Sequence, residues 1–134
     1  MTMQISATLR NTMADAIDAA VGTTGEARFY TAAYATALAT ASLNNPAFGN
    51  AATGAITLDV SPAVEDTSPA AAGTCALIGL YASTAATAAA FVVALGVAAS
   101  GTPDVTMSNT SIATTDTVQI SSLVITVPAG TPTT

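Results

Sequence analysis

The side chains in this sequence that could hold a charge, a metal or a reactive thiol are eight carboxylates, two arginines and one cysteine. General acid–base catalysis near neutral pH draws on histidine, a tuned lysine or a facing pair of carboxylates, and the chain contains neither histidine nor lysine. Glu65 and Asp66 are adjacent, but neighbours on an extended segment point to opposite sides, so they form no facing pair and read as a solvated turn. A serine, threonine or Cys75 nucleophile needs a base to take its proton, and no imidazole or amine side chain is there to do so. Cys75, within Thr74-Cys75-Ala76-Leu77-Ile78, reads as a small buried hydrophobe. A calcium site needs six or more oxygens. Asp59, Glu65, Asp66, Asp104 and Asp116 are the candidates, and none falls in an Asp-x-Asp-x-Asp-Gly spacing. Gly22-Thr23-Thr24-Gly25 lacks the lysine of a phosphate loop and joins a helix to a strand, so it reads as a connector. Phe29, Tyr30, Tyr34, Phe48, Tyr81 and Phe91 are the whole aromatic set; most fall where strands would bury them, with Tyr30 and Tyr34 as candidates for an exposed contact surface. The residues assign no catalytic, cofactor-binding or metal position, and the expectation is a protein that is not an enzyme and carries no cofactor.

The same scarcity of charge restricts the partners. A net charge of −6 with Arg10 and Arg28 as the only cations cannot neutralise a run of phosphates, which excludes nucleic acid as a partner, and gives no polybasic hold on an anionic membrane. Cys75, being single, allows no disulfide within the chain. Met1-Thr2-Met3-Gln4-Ile5 has no basic segment followed by an apolar run, so no secretory signal is read there. The interval from Cys75 to Ala99 is uncharged and long enough for a membrane span, yet its alanine, threonine and glycine content fits two buried strands better.

The elements that would position these residues are legible as patterns. Ile5, Leu9, Met13, Ile17 and Val21 recur every four residues, which predicts one amphipathic helix over 5–21. Arg10, Asn11, Asp15 and Asp18 then lie on its solvated face and Gly22 closes it. Short β-prone runs follow, at Ala27–Ala33, Thr36–Leu43, Gly54–Val60, Gly73–Ala82, Ala88–Ala98, Val105–Ser108 and Thr117–Val127. Asn44-Asn45-Pro46, Ser61-Pro62, Ser68-Pro69 and Gly101-Thr102-Pro103 separate them. In the last run the apolar face switches near Ser121-Ser122, which calls for a bulge or a strand passing between two layers. The expected fold is mainly β: a single domain over 1–134, an antiparallel β-sandwich or jelly-roll-like body of about seven strands over 27–127, one N-terminal amphipathic helix, and a flexible tail over 128–134. Alanine makes up nearly half of the 51% hydrophobic fraction, so the core is thin, and charged residues stand at 7% against about 25% in ordinary soluble domains. The exterior must therefore display Thr, Ser, Ala and Asn, a surface suited to lying against other protein.

Leu9-Arg10-Asn11 in the helix, Arg28-Phe29-Tyr30, the segment Leu43-Asn44-Asn45-Pro46-Ala47-Phe48-Gly49-Asn50-Ala51-Ala52-Thr53-Gly54, and Ser111-Ile112 through Ser121-Ser122 to Val127-Pro128-Ala129 together resemble small proteins encoded among the virion genes of tailed bacteriophages. The likeness runs nearly end to end, and Asn45-Pro46-Ala47-Phe48-Gly49 with the strand after Gly54 is its most specific part. Where that family often carries an aromatic followed by arginine in its middle strand, this chain has Leu77-Ile78-Gly79. The resemblance implies a virion structural protein, assembled in the host cytoplasm, whose partners are other virion proteins (the major capsid protein or tail proteins) and further copies of itself. Head decoration or cement leads the roles it implies; a tail, collar or fibre component and a host-receptor or glycan-binding module are the alternatives.

Overall fold

The structure, a computed structural model, describes residues 3–85, 87–98, 105–107 and 109–131. Met1-Thr2, the Gly101-Thr102-Pro103 turn, Asp104, Ser108 and the end of the tail from 132 lie outside the described residues. The chain is mainly β with one N-terminal helix.

The helix, α1 (Ala7–Val21), starts where Ser6, in extended conformation, accepts the Leu9 N–H on its hydroxyl at 3.2 Å. It ends at Gly22, whose φ of +76° turns the chain away while its N–H donates to the Asp18 carbonyl. The start at Ala7 shortens the expected span: Ile5 precedes the helix, and its N–H donates to the Ala129 carbonyl at 2.7 Å.

Eleven strands follow among the described residues: β1 (Glu26–Tyr30), β2 (Ala37–Ser42), β3 (Ala55–Thr57), β4 (Val64–Asp66), β5 (Gly73–Thr74), β6 (Leu77–Tyr81), β7 (Val93–Ala98), β8 (Val105–Thr106), β9 (Ser111–Ile112), β10 (Val118–Ile120) and β11 (Val124–Thr126). The main sheet has the order β2-β1-β6-β7-β8, antiparallel except for the parallel β7–β8 pair. Three two-stranded ribbons, β4–β10, β3–β11 and β5–β9, complete the body.

The expected count of seven is corrected to eleven, and partner exchange explains much of it. Gly73–Ala82 divides at Cys75-Ala76, since β5 pairs with β9 while β6 pairs with β1. Thr117–Val127 divides at Ser121-Ser122-Leu123: Ile120 faces Val64 on β4, and Val124 faces Thr57 on β3. The switch of apolar face expected there is therefore a segment passing from one ribbon to another. Two further strands, β4 and β9, are too short to show a period; Glu65 and Asp66 consequently lie on a strand rather than in a turn.

One face of the main sheet presents Ala27, Phe29, Ile78 and Leu80, and Ile56, Val64, Ile112, Val118, Ile120 and Leu123 from the ribbons join them in one buried cluster. At roughly 25 cal/mol per Å² of apolar area, burying each of the larger side chains contributes about 1.5–3 kcal/mol. No helix among the described residues is long and apolar enough to cross a membrane.

Candidate functional site

The predicted helix stripe faces the core only at its C-terminal end, through Ile17 and Val21, and its N-terminal half is turned outward. Leu9 is 53% exposed and Met13 43%, whereas Ala14 and Val21 are buried and Arg10, Asn11, Ile17 and Asp18 half-buried. The helix is turned so that its polar residues meet the loop between Phe48 and Gly54; Arg10, Asn11 and Asp18 are half-buried there, which corrects the solvated face assigned to them, while Asp15 stays exposed. Asp18 Oδ1 accepts the Phe48 N–H at 3.1 Å, Asp15 Oδ1 the Ala51 N–H at 2.9 Å, and Asn11 Oδ1 the Gly54 N–H at 2.7 Å. Positions 11, 15 and 18 repeat at i, i+4 and i+7 and so share one helix face; the loop runs antiparallel to them and offers an N–H at every third residue. Arg10 Nη1 donates to the Thr53 carbonyl at 2.7 Å and to that of Val127 at 3.4 Å. Two of these three bonds are part-buried, where an unpaired N–H carries a desolvation penalty. Leu9-Arg10-Asn11, the loop up to Gly54, and Val127 thus converge in space, although the sequence separates them widely.

The opposite face of the main sheet carries a layer of aromatics around Arg28. The Arg28 guanidinium stands 4.4 Å from the centre of the Tyr81 ring, its Nε donates to Glu26 Oε2 at 2.9 Å, and its Nη2 donates to the Ala85 carbonyl at 3.0 Å. Tyr81 is fully buried and donates its hydroxyl to the Ala88 carbonyl at 2.7 Å; burial, with the Tyr30 hydroxyl beside it, pushes its ionisation well above the ordinary tyrosine value. Gly79 lies beneath this ring, and a Cβ there would run into Tyr81 Cε2. At Gly79 the strand yields its side-chain space to Tyr81. Tyr30 is 5% exposed, which corrects its assignment to a surface. Tyr34 remains half-buried, stacked nearly parallel to the exposed Phe91 at 5.8 Å and edge-on to Tyr30 at 5.5 Å.

Of the candidate calcium ligands, Asp104 lies outside the described residues, and Asp59, Glu65, Asp66 and Asp116 do not gather into one group. Asp59 Oδ1 accepts the Ser61 N–H, Asp66 accepts those of Thr40 and Ser68, and Asp116 Oδ2 accepts that of Ala113. Among the described residues no group of three or more potential ligands gathers. Cys75 is buried and its thiol pushed up by desolvation, so it is not a ready thiolate. Gly22-Thr23-Thr24-Gly25 is a connector, as expected, tied through Thr24 Oγ1 and Ser83 Oγ at 2.6 Å.

A cleft of about 510 Å³ opens between the main sheet and the β9–β10 region, with Phe29, Ile78 and Val105 toward its floor and Asn109, Gln119 and Ser121 among its polar lining. Among the described residues that line it, Asp116 is the ionisable one, and its carboxylate holds the Ala113 N–H. No family model, curated protein or solved structure matches the chain.

Sequence reasoning overlooked Asn11, Asp15 and Asp18 as loop-holding residues. The signal was their own i, i+4, i+7 spacing, a second stripe competing with the apolar one.

Proposed function

We propose that the protein is a virion structural component of a tailed bacteriophage, a head decoration or cement protein that packs on the capsid shell and stabilises it by protein–protein contact. One observation carries this reading. Eight of the ten charged side chains are bonded within the fold: Arg10, Asp15, Asp18, Glu26, Arg28, Asp59, Asp66 and Asp116. Glu65 is the exposed charge among the described residues that has no such bond. Ionic groups spent on internal structure are not available to turn over a substrate, and the outer surface left behind is Ala, Thr, Ser and Asn. Such a surface lowers the electrostatic cost of many identical copies lying side by side. In this reading the main sheet and the ribbons act as the two layers of a sandwich that holds its shape under load.

Cryo-electron microscopy of the purified particle tests the proposal. Density of this fold at capsomer junctions, with particles lacking the protein failing under heat or osmotic shock, is the expected result. Density confined to tail, collar or fibres would replace it with an adaptor or adhesin role, and particles equally robust without the protein would remove the cement role.

A further inference from the structure

β9 and β10 are joined by residues 113–117, yet they do not pair with each other. Each pairs outward instead, β9 with β5 and β10 with β4, so the two strands of this hairpin keep their inner edges open. The cleft lies along those edges. Residues 117–122 all border it, six in a row, although successive side chains of a strand point to opposite faces. What borders the cleft is therefore the edge of the strand, with its N–H and C=O groups, and not one side-chain face. On the other side, the Cys75 N–H donates to the Thr110 carbonyl, and the alternation of a ladder turns the neighbouring Ser111 away from β5 and toward the cleft. Asn109 Oδ1 accepts the Ser111 N–H at 2.9 Å, which leaves the Ser111 carbonyl on the cleft side. Ser121 and Ser122, at the open end, make no hydrogen bond among the described residues.

We propose that the cleft is a strand-accepting slot, in which an extended, uncharged segment of another protein pairs with β9 on one side and β10 on the other. Its dimensions select a single extended chain. Six extended residues span about 20 Å, and 510 Å³ spread along that length leaves a channel about 5 Å across, the spacing of neighbouring strands. A helix, about 10 Å in diameter, does not enter. Phe29 and Ile78, a cross-strand pair on β1 and β6, form the floor, so every second residue of the segment meets an apolar, uncharged surface. A folded second copy does not supply the segment: every described strand is already paired along one edge, and the slot needs a strand free on both. Edge protection points the same way. Asp66 closes the Thr40 N–H on the outer strand β2, whereas no side chain among the described residues closes the inner edge of β10.

Nuclear magnetic resonance titration of the full chain with a capped hexapeptide of alternating threonine and valine tests this without reference to any particle. Saturable shifts confined to β9, β10 and the floor are expected, with a dissociation constant between about 10 μM and about 1 mM and slower amide exchange along 117–122. The same peptide N-methylated at every second residue keeps its side chains but loses the donors along one edge, and is expected to bind at least about tenfold more weakly. Ser121→Trp, which fills the slot from an exposed position, is expected to abolish binding with an unchanged melting temperature. The proposal is overturned by the absence of a saturable shift up to about 1 mM, by equal binding of the methylated peptide, or by binding that survives Ser121→Trp. Protection of 117–122 that grows with protein concentration in the absence of peptide overturns it as well, since the occupant is then a second copy.

Discussion

Asn11 and Gly54 lie 43 residues apart in the chain and are joined by a 2.7 Å hydrogen bond from the Gly54 N–H to Asn11 Oδ1. Gly54 is at φ +82°, and a Cβ on it would stand 2.8 Å from Arg10 Nη1 and 3.0 Å from the Val127 carbonyl. Helix, loop and C-terminal segment therefore close on one glycine, and a single position controls how three parts of the chain fit together.

Removing the acceptor leaves a part-buried N–H unpaired. Asn11→Ala is expected to lower the unfolding free energy by about 1–2 kcal/mol, and Gly54→Ala by about 1–3 kcal/mol because it adds backbone strain and a clash. Asn11→Asp keeps an acceptor oxygen and is expected to cost less than Asn11→Ala. Urea unfolding of the three variants checks the order; equal losses for Asn11→Ala and Asn11→Asp would show that the bond is not what matters at this site.

The ring of Tyr81 needs the space over Gly79. Gly79→Ala is expected to displace the ring from beneath Arg28, break the hydroxyl bond to the Ala88 carbonyl and cost about 1–3 kcal/mol. The chain has no tryptophan, so tyrosine emission reports the change directly. An unaltered spectrum with an unaltered melting temperature would mean the layer repacks freely.

How far the sequence discloses this architecture varies by element. The β-rich body and a helix closed by Gly22 follow from periodicity and punctuation, because those patterns report burial and backbone conformation locally. The rotation of α1 does not, since the stripe Leu9, Met13, Ile17 and the stripe Asn11, Asp15, Asp18 both satisfy helical spacing. Which one faces inward depends on whether a distant loop brings unpaired N–H groups to meet it. The breaks at Cys75-Ala76 and Ser121-Ser122 are partner changes, and partners are long-range facts; of the two, only the second announced itself, through its shift of apolar face. Arg28 and Tyr81 are hidden for the same reason: they sit on neighbouring strands whose register aligns Arg28 with Gly79.

Tyr81 and Cys75 set an alkaline limit on stability. Burial raises the ionisation of Tyr81 above its ordinary 10.0 and that of Cys75 above its ordinary 9.0. In both cases the folded chain holds the proton more tightly than the unfolded one. The contribution is complete below the unfolded value and is lost as pH rises through the folded one. The urea midpoint is thus expected to hold steady on these groups' account below pH 9.0 and to fall above it, more steeply beyond 10.0. Tyr81→Phe should flatten the upper part of that fall. Ultraviolet titration that shows all three tyrosines ionising together at the ordinary value, with the fold intact, would contradict the shift.

Asp66 protects the exposed edge of the main sheet. β2 is the outer strand there, and Asp66 Oδ2 accepts the Thr40 N–H at 2.9 Å while Oδ1 accepts the Ser68 N–H at 2.8 Å. An edge N–H held by a carboxylate is unavailable to another chain's strand. Asp66→Ala is expected to cost about 1 kcal/mol, because the two N–H groups it releases are exposed and turn to water, and to cause concentration-dependent light scattering well below the melting temperature. Asp66→Asn, which keeps one acceptor oxygen, should scatter less. If Asp66→Ala loses stability but stays clear at every concentration, the carboxylate ties β4 to β2 without guarding the edge, and protection falls instead to the Ala71 N–H that donates to the Leu38 carbonyl at 3.3 Å.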